Sequence, residues 1–103
     1  MARLGDIAKA CKSKNAGPFE LTLDIMFGDA ATFEKVRASG VINAALIAKL
    51  YGVAESAVVF TEYPPAFAWK ATIERRISSG AVGDTDVYGA QQHAPLLDVQ
   101  IPL

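Results

Sequence analysis

The side chains that could do chemistry concentrate near the C-terminal end of this chain. Residues 83–97, with the sequence GDTDVYGAQQHAPLL, include two aspartates, a tyrosine, two glutamines and the only histidine, His93. No amphipathic period runs through the stretch, so core packing does not explain its composition. Because an unperturbed imidazole titrates near neutral pH, His93 is the candidate general acid–base, and Tyr88 or Asp86 is the candidate residue that orients it. The alternative is a histidine that ties down the loop backbone.

Candidate ligand-binding residues occur in this stretch and in an early polar segment. They are Lys14, Asn15, Gln91 and Gln92. Segment 12–18, KSKNAGP, could hold an anion through lysine charge and backbone N–H groups, with Lys14 as the anchor. The segment is not a Walker motif and lacks the strand–loop–helix order of one, and a solvated loop is an equally good interpretation.

Metal ligands are few. Asp84 and Asp86 form a D-x-D pair of the kind that could bind a hard cation such as Mg²⁺. The same pattern is common in turns, where an aspartate side chain bonds the nearby backbone. One histidine and the distant Cys11 supply too few soft ligands for a transition metal. We therefore expect neither a metal site nor a cofactor.

The N-terminal part of the chain must provide the first of the elements that position these residues. Apolar residues between Leu4 and Cys11 recur at helical spacing, which favours a short helix with Cys11 in the core; a strand is the alternative. The polar loop 12–18 follows. Residues 19–27, FELTLDIMF, alternate apolar and polar side chains and predict a strand whose core face includes Phe19.

The middle of the chain predicts two helices. Asp29 can cap a helix over residues 30–39, and Asn43 can cap a second helix over residues 44–51. A glycine follows each helix, at the position where helices commonly end in a left-handed residue.

The remaining segments predict strands and one long loop. Residues 57–63 and 66–76 are typical of strands, and the Pro–Pro pair between them favours an antiparallel hairpin. Residues 77–94 then form a long irregular segment, and loops of such length in a compact domain are usually functional or disordered. Alternation over residues 97–101 predicts a last strand.

Strands and helices segregate along the chain, which predicts an α+β fold for a single domain covering residues 1–103. We expect a two-layer sandwich, ferredoxin-like in the loose sense, with a mostly antiparallel sheet of about four strands and a helix pair on one face. The other face is predicted to be solvated or to bind a partner. Its expected residues are Glu20, Thr22, Asp24, Met26, Ala68, Lys70, Thr72 and Glu74.

Composition limits the choice of partner and compartment. The net charge is −1 and charges of both signs are mixed along the chain, which argues against nucleic acid or an anionic membrane as a partner. A lone cysteine favours a reducing cytoplasm, and the N-terminus lacks the apolar core of a signal peptide. The apolar share, 51%, is high for a small monomer and favours burial against another chain.

Three long strings carry a resemblance to a known family. They are SKNAGPFELTLDIMF (13–27), VRASGVINAALIAKLYGV (36–53), and KATIERR with GDTDVYGAQQHAPLLDVQIP (70–76 and 83–102). Together they resemble, over nearly the whole chain, a family known only as domain of unknown function 4387. The resemblance implies a companion of the acyclic terpene utilisation A protein family, encoded beside it or fused to it.

That larger family is named for a pathway that degrades terpenes through acyl-CoA intermediates, so the resemblance implies a setting in bacterial metabolism and a partner subunit. Its members often end in a small ferredoxin-like domain that carries an Arg-Ser-Gly-Asp-Lys-Gly string. The present chain resembles that end domain, with KSKNAG in the place of the string. Ser13, Lys14 and Gly17 are kept, and the aspartate is lost.

Three functional hypotheses follow. The first is an accessory subunit that docks on a larger metabolic protein. The second is a homo-oligomeric binding or structural module whose long loop packs on a neighbouring copy. The third is a small lyase or hydratase acting on a carboxylate or acyl thioester, with His93 as the acid–base and Lys14 as the anion anchor.

Overall fold

The computed structural model describes residues 1–16, 19–74 and 94–102. In chain order the elements are β1 (Ala2–Arg3), α1 (Leu4–Ile7), β2 (Ala10–Asn15), β3 (Glu20–Met26), α2 (Ala30–Ser39), α3 (Ala44–Tyr51), β4 (Val59–Tyr63), β5 (Ala68–Glu74), α4 (Ala94–Leu97) and β6 (Gln100–Ile101). Short 3₁₀ helices, Glu55–Ala57 and Pro64–Ala66, precede and follow β4.

Four of the strands form an antiparallel sheet in the order β2-β3-β5-β4. β1 and β6 pair separately, so the two ends of the chain meet. The α+β prediction with a four-stranded antiparallel sheet is confirmed, as is the antiparallel pairing of the two strands around the Pro–Pro pair. The described part of the chain includes no helix long and apolar enough to cross a membrane.

Alternation in β3 and β5 creates the inner face of the sheet, which is the face toward the helices. Leu21 lies opposite Ile73, Leu23 opposite Ala71 and Ile25 opposite Trp69, and all six are buried. Phe19 was expected to share this face, but its side chain is 62% exposed. It precedes the first residue of β3, so the strand's alternation does not orient it inward.

The two long helices form where their caps predict. The Asp29 side chain accepts a hydrogen bond from the Thr32 backbone N–H at 2.7 Å, and the Asn43 side chain accepts one from Leu46 at 2.8 Å. Each helix ends at a glycine in the left-handed conformation, with φ near 69° and 67°. Both helices pack against the inner face through a shared core that includes Phe33, Val36 and Ile47.

The N-terminal prediction was wrong in its extent. The predicted helix shrinks to the single turn of α1, and Ala10–Asn15, expected to be the end of that helix and a polar loop, is strand β2. β2 forms because it pairs along the whole of its length with β3, and the Lys9 N–H extends this pairing by donating to the Met26 carbonyl at 2.8 Å. Pairing with a distant strand overrides the loop-like composition.

The C-terminal prediction was also wrong in part. Leu97 ends the single-turn helix α4, and the strand is limited to the two residues of β6. Leu4 and Val99 join the two ends of the chain, since the Leu4 N–H donates to the Val99 carbonyl at 2.8 Å. The predicted irregular segment 77–94 lies outside the described residues, except that Ala94 begins α4.

The hairpin connection contains a non-glycine residue in the left-handed region. Phe67 has φ of 52° and its N–H closes the 3₁₀ turn onto the Pro64 carbonyl. The Phe67 carbonyl accepts from the Phe27 N–H at 2.9 Å, and its ring packs 6.1 Å from that of Phe33. These contacts offset a backbone cost of about 1–2 kcal/mol. β5 therefore starts at Ala68, two residues later than the sequence predicted.

Candidate functional site

The second face of the sheet, here called the outer face, gathers polar side chains from all four strands. It is opposite the inner face because successive residues of a strand point to opposite sides. The strand register assigns to it Ala10, Lys12, Lys14, Glu20, Thr22, Asp24, Met26, Val59, Thr61, Tyr63, Ala68, Lys70, Thr72 and Glu74. The outer-face residues expected from the sequence are all present.

Charged residues occupy the middle of the outer face. Lys12 lies opposite Asp24, Asp24 opposite Lys70, and Lys70 opposite Thr61, so one acidic residue lies between two lysines in the strand register. Directly opposite residues have Cβ atoms about 4.5–5.5 Å apart. Lys14 lies on the same strand face as Lys12 and adds a third positive charge. The central row therefore has an excess of lysine, whereas Glu20 and Glu74 lie at one end of the same face, so the outer face as a whole balances three lysines with three carboxylates.

The row beside these charges has two threonines at its centre, with Lys14 at one end and Val59 at the other. Lys14 lies opposite Thr22 and Thr22 opposite Thr72. Thr22 is only 4% exposed, and its hydroxyl donates to the Lys14 carbonyl at 3.3 Å. This hydrogen bond ties the edge strand β2 to the centre of the sheet and holds Lys14 beside the charged row.

The opposite end of the outer face is apolar. Met26, Ala68 and Tyr63 lie side by side in the register of β3, β5 and β4. On β4, Tyr63 is 47% exposed and Val59 is 64% exposed. Among the described residues, these two belong to a group of only four large hydrophobic side chains that are exposed. Val59 lies beside Thr72 at the other end of β4, and Ala68 is only 8% exposed, so the exposed apolar surface of the outer face comes mainly from Tyr63 and Val59.

The ion pairs of the described residues lie elsewhere. Arg3 contacts Asp98 at 2.9 Å and Asp6 at 3.3 Å, and the hydrogen bond that Arg3 donates to Asp98 raises the pKa of Arg3. Arg37 on α2 contacts Glu62 on β4 at 2.8 Å, on the inner side of the sheet. These pairs fasten the chain ends and the helix layer, so they have a structural role.

Most of the predicted catalytic and ligand-binding residues fall outside the described part of the chain. They are Asp86, Tyr88, Gln91, Gln92 and His93, together with the D-x-D partner Asp84. Their roles stay predictions. Lys14 and Asn15 are described, and they are neighbours on β2. The exposed Lys14 belongs to the outer face and the half-buried Asn15 to the inner face, so the strand does not direct them toward one ligand.

Cys11 packs against the core, as the sequence predicted, although it does so from a strand. Burial raises the pKa of the Cys11 thiol to about 11, so it is protonated at neutral pH and is a poor nucleophile. Burial, with a smaller effect of Cys11, also raises the pKa of Tyr51. Lys12 belongs to the other face of the sheet, so it does not offset this effect.

Metal ligands do not cluster in the described ranges, where no group of three or more His, Cys, Asp or Glu residues could hold an ion. An open depression lies between α2 and the C-terminal end, lined by Lys35, Ala38, Ser39 and Pro102. It offers no convergent set of groups for catalysis.

Sequence reasoning missed the contribution of Lys12 and of β4 to this face. The signal was present in Ala10–Asn15, where lysines alternate with Cys11 and Ser13, but the segment was interpreted as helix and loop. Alternate residues of a strand lie on the same side, so Lys12 and Lys14 both belong to the outer face.

The comparisons with known proteins point to one family. The model of the family described as Domain of unknown function (DUF4387) matches residues 4–100, which include every strand of the four-stranded sheet. No curated protein and no solved structure matches the chain.

Proposed function

We propose that this chain, which belongs to the DUF4387 family, is an accessory domain that docks on a larger metabolic protein of the acyclic terpene utilisation A type. The observation that carries the proposal is the outer face. In the described residues, both long helices pack on the inner face, and the outer face joins three lysines and three acidic residues to apolar side chains.

A solvated sheet face is the ordinary alternative, since antiparallel sheets often expose one polar side to water. Two features favour docking over this alternative. The exposed Tyr63 and the half-buried Met26 place apolar side chains where a solvated face would carry polar groups. Mixed charged and apolar surface of this kind is typical of interfaces, in which the apolar part supplies affinity and charge directs the encounter.

The charges also indicate what the partner surface presents. The central row of the outer face carries Lys12 and Lys70 against Asp24, and Lys14 lies in the next row, while Glu20 and Glu74 confine their negative charge to one end of the face. A complementary surface therefore carries carboxylates that meet the lysines, with apolar residues that cover Met26 and Tyr63. Association should weaken as salt rises, because exposed charges are screened beyond about 8–10 Å at physiological ionic strength.

The test is co-expression with the large protein, followed by size-exclusion chromatography with light scattering. We expect co-elution at a fixed ratio. Lys12→Glu with Lys70→Glu should weaken binding by about tenfold or more, because two attractive contacts become repulsive. The matched control is Lys35→Glu with Lys49→Glu, which makes the same charge change on exposed positions of α2 and α3.

Two outcomes would overturn the proposal. One is the absence of a complex with the large protein, and the other is equal weakening by the sheet variant and the helix control. A chain that stays apart from the large protein, yet turns over an acyl thioester and loses that activity in His93→Ala, would establish the lyase or hydratase hypothesis in its place.

A further inference from the structure

Strand β4 forms one edge of the four-stranded sheet and pairs with β5 alone in the described part of the chain. An edge strand presents unpaired backbone N–H and C=O groups, which are a template for another strand. We propose that two copies of this chain pair antiparallel along β4, so that their sheets join into one of eight strands. This inference goes beyond docking on a larger protein, because it concerns the edge of the sheet and the chain alone.

The sequence of β4 is self-complementary in one register. Antiparallel pairing about Thr61 is the only two-fold arrangement that pairs all five residues of Val59–Tyr63. It sets Thr61 opposite Thr61 of the second copy and Val59 opposite its Tyr63. Aromatic residues opposite β-branched residues are among the favourable cross-strand pairs. A two-fold axis at Thr61 repeats the Val59–Tyr63 pair on both sides.

This register also accounts for the exposed apolar residues of the strand. Val59 and Tyr63 are 64% and 47% exposed, and both belong to the outer face two residues from Thr61. In the single chain their row neighbours Thr72 and Ala68 lie on one side only, toward β5. In the dimer each gains the other as a neighbour on the open side. Their exposure and their symmetric placement about Thr61 are therefore explained together.

The two edges of the sheet differ in how well they resist such pairing. Native edge strands are commonly protected by charged residues, especially lysine. β2 carries Lys12 and Lys14, both exposed. β4 carries only Glu62, which contacts Arg37 at 2.8 Å and is thereby neutralised. Glu62 would face Phe60 of the second copy on the inner side, and no like-charge pair forms across the axis.

The size of the contact sets its strength. Five residues at about 3.3 Å each make a seam of roughly 17 Å, which buries less than the ~1,200 Å² of a standard stable interface. We therefore expect a reversible dimer whose fraction rises with protein concentration. Such an equilibrium is measurable on the chain alone, so its failure is distinct from a failure to bind the large protein.

The experiment combines sedimentation equilibrium with hydrogen exchange of the wild-type chain over a concentration series. We expect a monomer–dimer equilibrium and slower amide exchange in Val59–Tyr63 as concentration rises, with no change in Ala10–Asn15. Protection of β2 instead, or a monomer at every concentration, overturns the proposal. Protection in the monomer of those β4 amides that do not bond to β5 overturns it too, because another segment of the same chain would then cover the edge.

Charged substitutions at Thr61, the residue on the two-fold axis, test the register of the β4 pairing. Thr61→Lys and Thr61→Glu each place like charges opposite one another, so each homodimer should weaken. An equimolar mixture of the two variants should form a heterodimer about tenfold tighter than either homodimer. The same substitutions at Ala45, an exposed position of α3, should leave dimerisation unchanged. Equal affinity of the mixture and the separate variants would refute pairing about Thr61.

Discussion

Phe33 is the residue through which α2 should contribute most to stability. It is 1% exposed, and its ring lies 4.6 Å from that of Trp69, 6.1 Å from Phe67 and 6.3 Å from Phe27. Truncation of a buried phenylalanine to alanine costs about 3–5 kcal/mol through lost transfer energy and the cavity left behind. Because Phe33 joins the helix, β5 and the hairpin connection, we expect Phe33→Ala to cost about 4 kcal/mol.

That loss is large against the total stability of a domain this size, roughly 5–15 kcal/mol. It should lower the melting temperature by roughly 15–30 °C, since each kcal/mol shifts a domain of ~100 residues by about 4–8 °C. Urea unfolding followed by fluorescence measures it directly, because Trp69 is the single tryptophan and is 3% exposed in the fold. Phe33→Leu, which keeps most of the apolar volume, should cost less than half as much.

The matched control is the same substitution at Phe19, which is 62% exposed. Phe19→Ala should change the free energy of unfolding by less than about 0.5 kcal/mol. A cost of under about 1 kcal/mol for Phe33→Ala, or equal costs at the two positions, would refute the packing of α2 on the sheet through this aromatic cluster.

Two further predictions concern ionisable groups. The hydrogen bond from the Thr32 backbone lowers the pKa of Asp29 below its ordinary value of 3.8. This cap therefore stabilises the fold above that pH, and the stabilisation is lost as the pH falls through the folded-state pKa. Urea midpoints should show a steeper acid dependence for wild type than for Asp29→Asn, and parallel curves would contradict this. The thiol of Cys11, with a pKa of about 11, should react slowly with iodoacetamide at neutral pH in the native chain and rapidly in urea; fast native labelling would contradict the burial.

The parts of the fold that the sequence predicts are those specified by neighbouring residues. The alternation in Glu20–Met26 defines β3, and Asp29 and Asn43 define where the helices begin, because a cap acts within one turn. The hairpin of β4 and β5 is equally local. Each of these signals lies within one element or between adjacent elements, and the elements are confirmed apart from the inward position of Phe19 and the start of β5.

The parts that could not be predicted depend on distant partners. Ala10–Asn15 has the composition of a loop and becomes a strand only because β3 pairs with it. β5 inserts between β3 and β4, so its pairing with β3 joins strands separated by both helices and β4. The phase of β3 and β5 still identified the centre of the outer face. The lysines of β2 and the apolar pair on β4 belong to the same face because of the order in which the strands pair.

The outer face and the β4 edge can act at the same time. Strand pairing about Thr61 extends the sheet within its own plane, whereas docking approaches the outer face from above. A dimer would therefore present two outer faces side by side as one surface of eight strands, with Val59 and Tyr63 at the seam. If the large protein binds this joined surface, the complex should contain two copies of this chain for each surface bound, and Thr61→Lys should weaken both dimerisation and docking. If each outer face binds alone, Thr61→Lys should leave a complex of one chain of each kind. The mass of the complex formed by Thr61→Lys thus distinguishes docking that requires the β4 dimer from docking that does not.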